Sequence, residues 1–265
     1  MSKLRFRVLA LAFAAAALGL AACGDGATDE SPTALSATPT PTRSEASSPT
    51  ATATASNTAP DSTGPPTTTP APSKTATPAP AVTILTPVDK DHALPAEYVP
   101  PGLATIPLPY LAVGYGGELR QEALDALIEM LDDAEDAGYD IRARSAYRSY
   151  ATQEATFNYW VGALGYDEAV RVSAMAGHSE HQLGTAVDLS SPEIGWGLLE
   201  SFGETAGGKW LAARAHEYGF ALSYPKGAEG ITGYSYEPWH FRYIGAGEAE
   251  AWKASGLKLN QYLLQ

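Results

Sequence analysis

The sequence predicts an α+β domain over residues 83–265, and three observations lead to that fold class. Helical periodicity dominates the first part of this stretch, short strand-like runs cluster toward its end, and the residues before it cannot build a core. From Ala27 to about Val82 the chain is almost entirely Ala, Thr, Pro and Ser, a composition with too little apolar surface to offset the entropy of ordering. What remains is long enough for one well-buried domain and excludes a second full-sized one.

The elements follow in order. Leu119, Ala123, Leu124, Leu127, Ile128, Leu131 and Ala134 recur at three- and four-residue steps, with Glu122, Asp125, Glu129, Asp132 and Asp133 between them and Gly138 as the stop. That is an amphipathic helix with a solvated acidic stripe. Asp140–Ala146 alternates as a short strand, and Ser149–Leu164 reads as a helix with Ser149 at its N-cap. Gly184–Ser190, Phe220–Tyr224 and Trp239–Ile244 read as strands, and Lys209–Tyr218 as a helix closed by Gly219. The fold expected is a central antiparallel sheet with flanking helices. No internal repeat is visible.

The net charge is −13, and residues 1–83 carry five basic and five acidic side chains, so all of it falls on the folded part. An acidic domain without a basic stripe repels a phosphate backbone, so nucleic acid is excluded as a partner. A single cysteine, Cys23, excludes an internal disulfide and a cysteine-based zinc site.

The N-terminus has a basic start (Lys3, Arg5, Arg7) and an apolar run, Val8–Ala22, too short to span a bilayer comfortably. It reads as a signal peptide over residues 1–22. Its end, Leu20-Ala21-Ala22-Cys23-Gly24, resembles the bacterial lipobox, in which the cysteine is lipidated and becomes the first residue. Residues 23–82 would then be a lipidated N-terminus and a disordered tether, and the protein an exported, membrane-anchored lipoprotein. Such a tether reaches roughly 45 Å as a coil and up to about 190 Å if polyproline-like. Its Ser/Thr density also permits O-glycosylation.

All five histidines, His92, His178, His181, His216 and His240, lie in the folded part. Three of them stand beside carboxylates in two segments, one running from His178 through Ser179-Glu180-His181 to Asp188 and the other Glu237-Pro238-Trp239-His240. A hydrolytic zinc needs three N or O ligands and one open position, which His181, Asp188 and His240 can provide. A carboxylate on the strand Gly184–Ser190 is costly to bury unless it is paired or metal-bound. Pro238 argues against a helical geometry for Glu237 and His240 and puts both near a strand entrance.

Three motifs add to this: Ser145-Ala146-Tyr147-Arg148-Ser149-Tyr150 with Gln153, then Ser179-Glu180-His181-Gln182-Leu183-Gly184-Thr185-Ala186-Val187-Asp188, then Glu237-Pro238-Trp239-His240-Phe241-Arg242-Tyr243. In order and spacing they resemble the VanY-type D-alanyl-D-alanine carboxypeptidases, within the wider group that includes lysostaphin-like enzymes and the hedgehog fold. The resemblance implies a zinc D-Ala-D-Ala carboxypeptidase domain acting on peptidoglycan stem peptides. His181, Asp188 and His240 would be the Zn2+ ligands and Glu237 the general base for the attacking water. Arg148 would stabilise an oxyanion or hold a substrate carboxylate. Gln153 and Ser179 would hydrogen-bond the peptide, and Trp239 would pack beside the metal. Arg144 and Arg171 are further cations available for the carboxylate.

Other roles fit some of these residues. Trp239 is equally compatible with core packing alone. His178 is outside the family pattern and fits either the rim of the pocket or, preferably, an exposed loop, while His92 reads as solvent-exposed and His216 as a surface or packing residue. An L,D-carboxypeptidase or an endopeptidase on the same polymer would differ in the loops Ser191–Gly208 and Gly227–Ser235. A non-catalytic zinc-stabilised wall-binding module would have no need of Glu237.

Overall fold

The chain order of secondary structure comes from a computed structural model, which describes residues 81–265; the expected leader, Cys23 and nearly all of the expected tether lie outside the described residues. Two short strands come first, β1 (Leu103–Thr105) and β2 (Glu118–Arg120), paired antiparallel. This small sheet was not among the expected elements, since three-residue strands are too short to show a period of two. Helix α1 (Gln121–Asp136) follows and buries Ala123, Leu124, Leu127, Met130, Leu131 and Ala134. Leu119, counted in the helical period, belongs to β2. The acidic face of α1 is only partly solvated, because Asp132 accepts from the Tyr110 hydroxyl at 3.0 Å and Asp133 from that of Tyr218 at 2.7 Å.

Strand β3 (Arg142–Ser145) leads to α2 (Tyr150–Leu164), whose N-cap is Ser149, its hydroxyl accepting from the Thr152 amide at 3.2 Å. A short helix α3 (Tyr166–Val172) and a 3-10 turn (Glu180–Leu183) precede β4 (Ala186–Ser190), which is buried throughout. Gly184 joins that turn to β4 at φ +71°, and a Cβ there would stand 2.9 Å from Pro100. Glycine is required twice over, by conformation and by the close approach of another segment.

Helix α4 (Ala206–Arg214) passes into a 3-10 turn ending at Gly219, then β5 (Phe220–Leu222), the single-turn α5 (Glu229–Thr232) and β6 (His240–Tyr243). The helix expected over Lys209–Tyr218 is therefore a composite of both helix types. Helices α6 (Ala246–Ser255) and α7 (Leu259–Leu263) close the chain.

The main sheet is antiparallel with strand order β3-β4-β6-β5. Side chains of adjacent strands that stand opposite one another share a face. One face carries Ala143, Val187, Leu189 and Phe241, which pack with the buried row of α1 in the main core. The other carries Ser145, Asp188 and His240 in one cross-strand row, with Ala186 opposite Arg242 two residues along. No helix among the described residues is long and apolar enough to cross a membrane.

Candidate active site

Asp188 stands in the middle of the row Ser145, Asp188, His240, and sheet register alone therefore brings two of the three predicted ligands together. His240 presents Nδ1 to Asp188 at 3.1 Å, and His181, from the 3-10 turn before β4, presents Nε2 to the other Asp188 oxygen at 3.3 Å. The imidazoles meet edge to face with centroids 4.9 Å apart. One ligand atom from each of His181, Asp188 and His240 falls within 4.8 Å of the others, and all three residues are buried.

The second nitrogen of each histidine is already engaged. His181 Nδ1 donates to the Ala146 carbonyl at 2.7 Å, and His240 Nε2 contacts Glu180 at 2.9 Å. A carbonyl only accepts, so neutral His181 keeps its lone pair on Nε2, aimed into the cluster. Burial pushes the His181 imidazole below its usual range, against the pull of Asp188. His240 is pushed up to about 10, because its bonds to Asp188 and Glu180 outweigh the cost of burying the charge. Burial would raise the Asp188 carboxyl, but its two histidine partners hold it well below the ordinary carboxylate range. Two nitrogens and a carboxylate, oriented from behind and gathered in a buried site rich in negative charge, make a donor set that fits a divalent ion such as zinc.

Glu237 and His240 are joined by a tight turn in which the His240 amide donates to the Glu237 carbonyl at 3.2 Å. Pro238 lies in that turn at the entrance to β6, consistent with the non-helical approach its presence suggests, and the Glu237 carboxylate stands 3.8 Å from His240 Nδ1. Burial, reinforced by Asp188 and Glu180 against the pull of His240 and Arg148, pushes the Glu237 carboxyl up to about 7.

These groups line a cavity of about 360 Å³ with Arg148, Gln153, Ser179, Trp239 and Tyr224. Arg148 donates from Nη1 to Gln153 at 2.8 Å and from Nη2 to Ser145 at 3.1 Å, which uses two of its five donors. The Gln153 amide nitrogen donates to the Ala174 carbonyl at 2.6 Å, so this buried side chain is spent on holding Arg148 and the segment beside it. The Ser179 hydroxyl makes no hydrogen bond to another described residue. Trp239 both packs on the main core and lines the cavity.

Several expectations change. Arg144 donates to the Trp196 carbonyl and stacks on Tyr115, and Arg171 is exposed beside Glu168, so among the described residues Arg148 is the one guanidinium lining the cavity. His178 is not a free loop residue: its Nδ1 bonds the Asp89 carbonyl at 2.7 Å and it lines a separate, smaller cavity. His92 is exposed as expected, paired with Asp89 at 2.8 Å, and His216 is half-buried. Leu198 and Tyr234 come from the two loops expected to shape the pocket, but much of the wall is Thr156, Trp160 and Leu164 of α2 with Val172, Ser173 and Ala174.

Sequence reading assigned no role to Glu180, which is buried against His240, Ser223 and Arg242. The available signal was its place beside His181, an expected ligand. It also missed Tyr224, whose ring packs on His240 at 4.8 Å.

Fold and site define an α+β protein whose central sheet carries a candidate mononuclear metal centre at the floor of a cavity. The family model for VanY, D-alanyl-D-alanine carboxypeptidase, matches residues 116–246. The YodJ protein of Bacillus subtilis (strain 168) is 42% identical over 184 residues, 68% of this chain and 66% of that protein. The bifunctional D-Ala-D-Ala dipeptidase and D-Ala-D-Ala carboxypeptidase VanXYC of Enterococcus gallinarum is 31% identical over 66% of this chain and 90% of its own length. Among solved structures, the LdcB LD-carboxypeptidase superposes with TM-score 0.64 at 42% identity, over 68% of this chain and 86% of that one. The VanY D,D-pentapeptidase of a VanB-type resistance cassette, solved with Zn(II), gives 0.56 at 28% identity over 68% and 98%. The chain belongs to the VanY family of D-alanyl-D-alanine carboxypeptidases.

Proposed function

We propose that the protein is a zinc-dependent carboxypeptidase that removes a terminal D-alanine from peptidoglycan stem peptides, with the D-Ala-D-Ala bond as its first substrate. The observation that carries this reading is the convergence of His181, Asp188, His240, Glu237 and Arg148 on one cavity. His181, Asp188 and His240 would hold the ion, which when bound supplies Lewis acidity to the scissile carbonyl and acidifies water.

Glu237 is the proton carrier. Its carboxyl, pushed up to about 7, accepts a proton from the attacking water and returns it to the leaving amine, the two halves of acid–base catalysis near neutral pH. Arg148 takes either the substrate's C-terminal carboxylate or the developing oxyanion with its remaining donors, and Gln153 serves binding by fixing that guanidinium. Ser179 offers a hydroxyl to the peptide, and Trp239 and α2 supply an apolar wall.

An L,D-specific reading is favoured by the 42% identity to the LdcB LD-carboxypeptidase. The separating experiment incubates the purified chain with zinc and synthetic stem peptides and follows mass. Loss of one alanine from a pentapeptide ending in D-Ala-D-Ala, blocked by a chelator, is the expected result. Loss from the tetrapeptide alone would move the assignment to L,D-specificity. Cleavage of neither would reject a carboxypeptidase.

A site for cell-wall peptides is of use outside the cytoplasm. Export by the leader at residues 1–22, lipidation of Cys23 and a tether over residues 23–82 are part of the same proposal, resting on the sequence. Metabolic labelling with a fatty acid would test it; a Cys23→Ala chain that still incorporates label would reject the anchor.

A further inference from the structure

We infer that Glu180 is a positioning residue that holds His240 as the tautomer able to present Nδ1 to a metal, and that Arg242 holds the Glu180 carboxylate in the orientation this requires. The inference rests on the zinc reading above and deepens it. The expected site calls for two acids, Asp188 and Glu237, yet a third carboxylate, that of Glu180, lies directly behind His240.

The geometry is a closed relay. Glu180 Oε2 faces His240 Nε2 at 2.9 Å and also accepts from the Ser223 hydroxyl at 2.6 Å. Its other oxygen, Oε1, accepts from Arg242 Nη1 at 2.9 Å. Arg242 lies on β6 two residues from His240, is fully buried, and uses Nη2 to donate to the carbonyls of Ile84 and Thr86 at 2.8 Å each. A carboxylate paired with a guanidinium is acceptor-only, so His240 must donate from Nε2. In the neutral ring, the form a metal ligand takes, the lone pair is then confined to Nδ1, the nitrogen facing Asp188 at 3.1 Å. Without Glu180 the ring could carry its proton on either nitrogen and rotate. A carboxylate–histidine pair of this kind commonly fixes ligand orientation, and loss of the outer partner costs about 10- to 100-fold in metal affinity.

The competing explanation is that Glu180 merely neutralises the buried Arg242. Removing the pair together separates the two, because a buried ion pair replaced by apolar residues of similar size is often neutral for stability. In the full chain, Glu180→Leu/Arg242→Met would be compared with wild type for thermal midpoint and for zinc affinity by competition with a chromogenic chelator. A folded double variant that binds zinc about 10- to 100-fold more weakly is expected. A loss above threefold supports the inference, and a smaller one overturns it.

Should the double variant not fold, long-range 1H–15N spectra of the zinc-loaded wild type decide. A proton on His240 Nε2 is expected, and a proton on Nδ1 overturns the inference. Wild type that binds no zinc sinks the metallopeptidase reading and this inference with it. Wild type that binds zinc beside an unimpaired double variant sinks the inference alone.

Discussion

The two faces of the central sheet are built from the same strands, often from adjacent residues, and obey opposite rules. On one face Val187, Leu189 and Phe241 bury apolar surface against α1, and each is fully enclosed. On the other, Asp188, His240 and Arg242 are enclosed just as fully, but every one of them is polar. Burial is therefore equal across the sheet while its energetics are not. The core face is favourable by itself, at about 25 cal/mol per Å² of apolar area removed from water. The site face is costly by itself and is tolerated because each group is paired. Pairing has left a donor set that suits a cation.

Substitutions on the two faces should separate these rules. Glu237→Ala is expected to have the largest effect on turnover, a fall of about 10²- to 10⁴-fold, with thermal midpoint and zinc content nearly unchanged. Kinetics and metal analysis on one preparation check this, and full retained activity would overturn the mechanism. On the core face Phe241→Ala, one residue from the candidate ligand His240, should destabilise the fold by about 3–5 kcal/mol, read by denaturant titration. If its zinc affinity in the folded state also collapsed, the two faces would not be independent.

Arg148→Ala should cost about 10²- to 10³-fold in kcat/KM with zinc affinity retained. Gln153→Ala should reproduce part of that loss, because it frees the guanidinium without removing it. At the small end, Ser149→Ala removes the α2 cap and should cost about 1 kcal/mol of stability. The α2 wall of the cavity is then expected to shift KM more than kcat.

How much was legible follows the same division. Residues with sequence-local logic were readable: the apolar period of α1, the Ser149 cap, the stop at Gly219, and the strands carrying Asp188 and His240. The candidate site residues were readable as residue types in spaced motifs, and Pro238 argued against a helix before β6 without showing the turn that joins Glu237 to His240. The strands β1 and β2 were not, being three residues each. Glu180 looked like a neighbour of His181 in sequence, whereas its carboxylate serves His240, sixty residues on. Arg144 and Arg171 were candidate carboxylate binders on charge alone, and the fold turned both away from the cavity.

The sequence by itself determined which chemical groups are present and which short elements carry them, because period, capping and turn chemistry act over a few residues. It also determined the composition of residues 1–82, from which the leader and tether are inferred. Tertiary structure alone decided who meets whom. The register that sets Asp188 opposite His240, the segment 84–86 that clamps Arg242, and the placing of α2 as a cavity wall all join residues far apart in the chain. Such contacts form only when the whole core closes, since hydrophobic burial is non-directional and does not name its partners in advance.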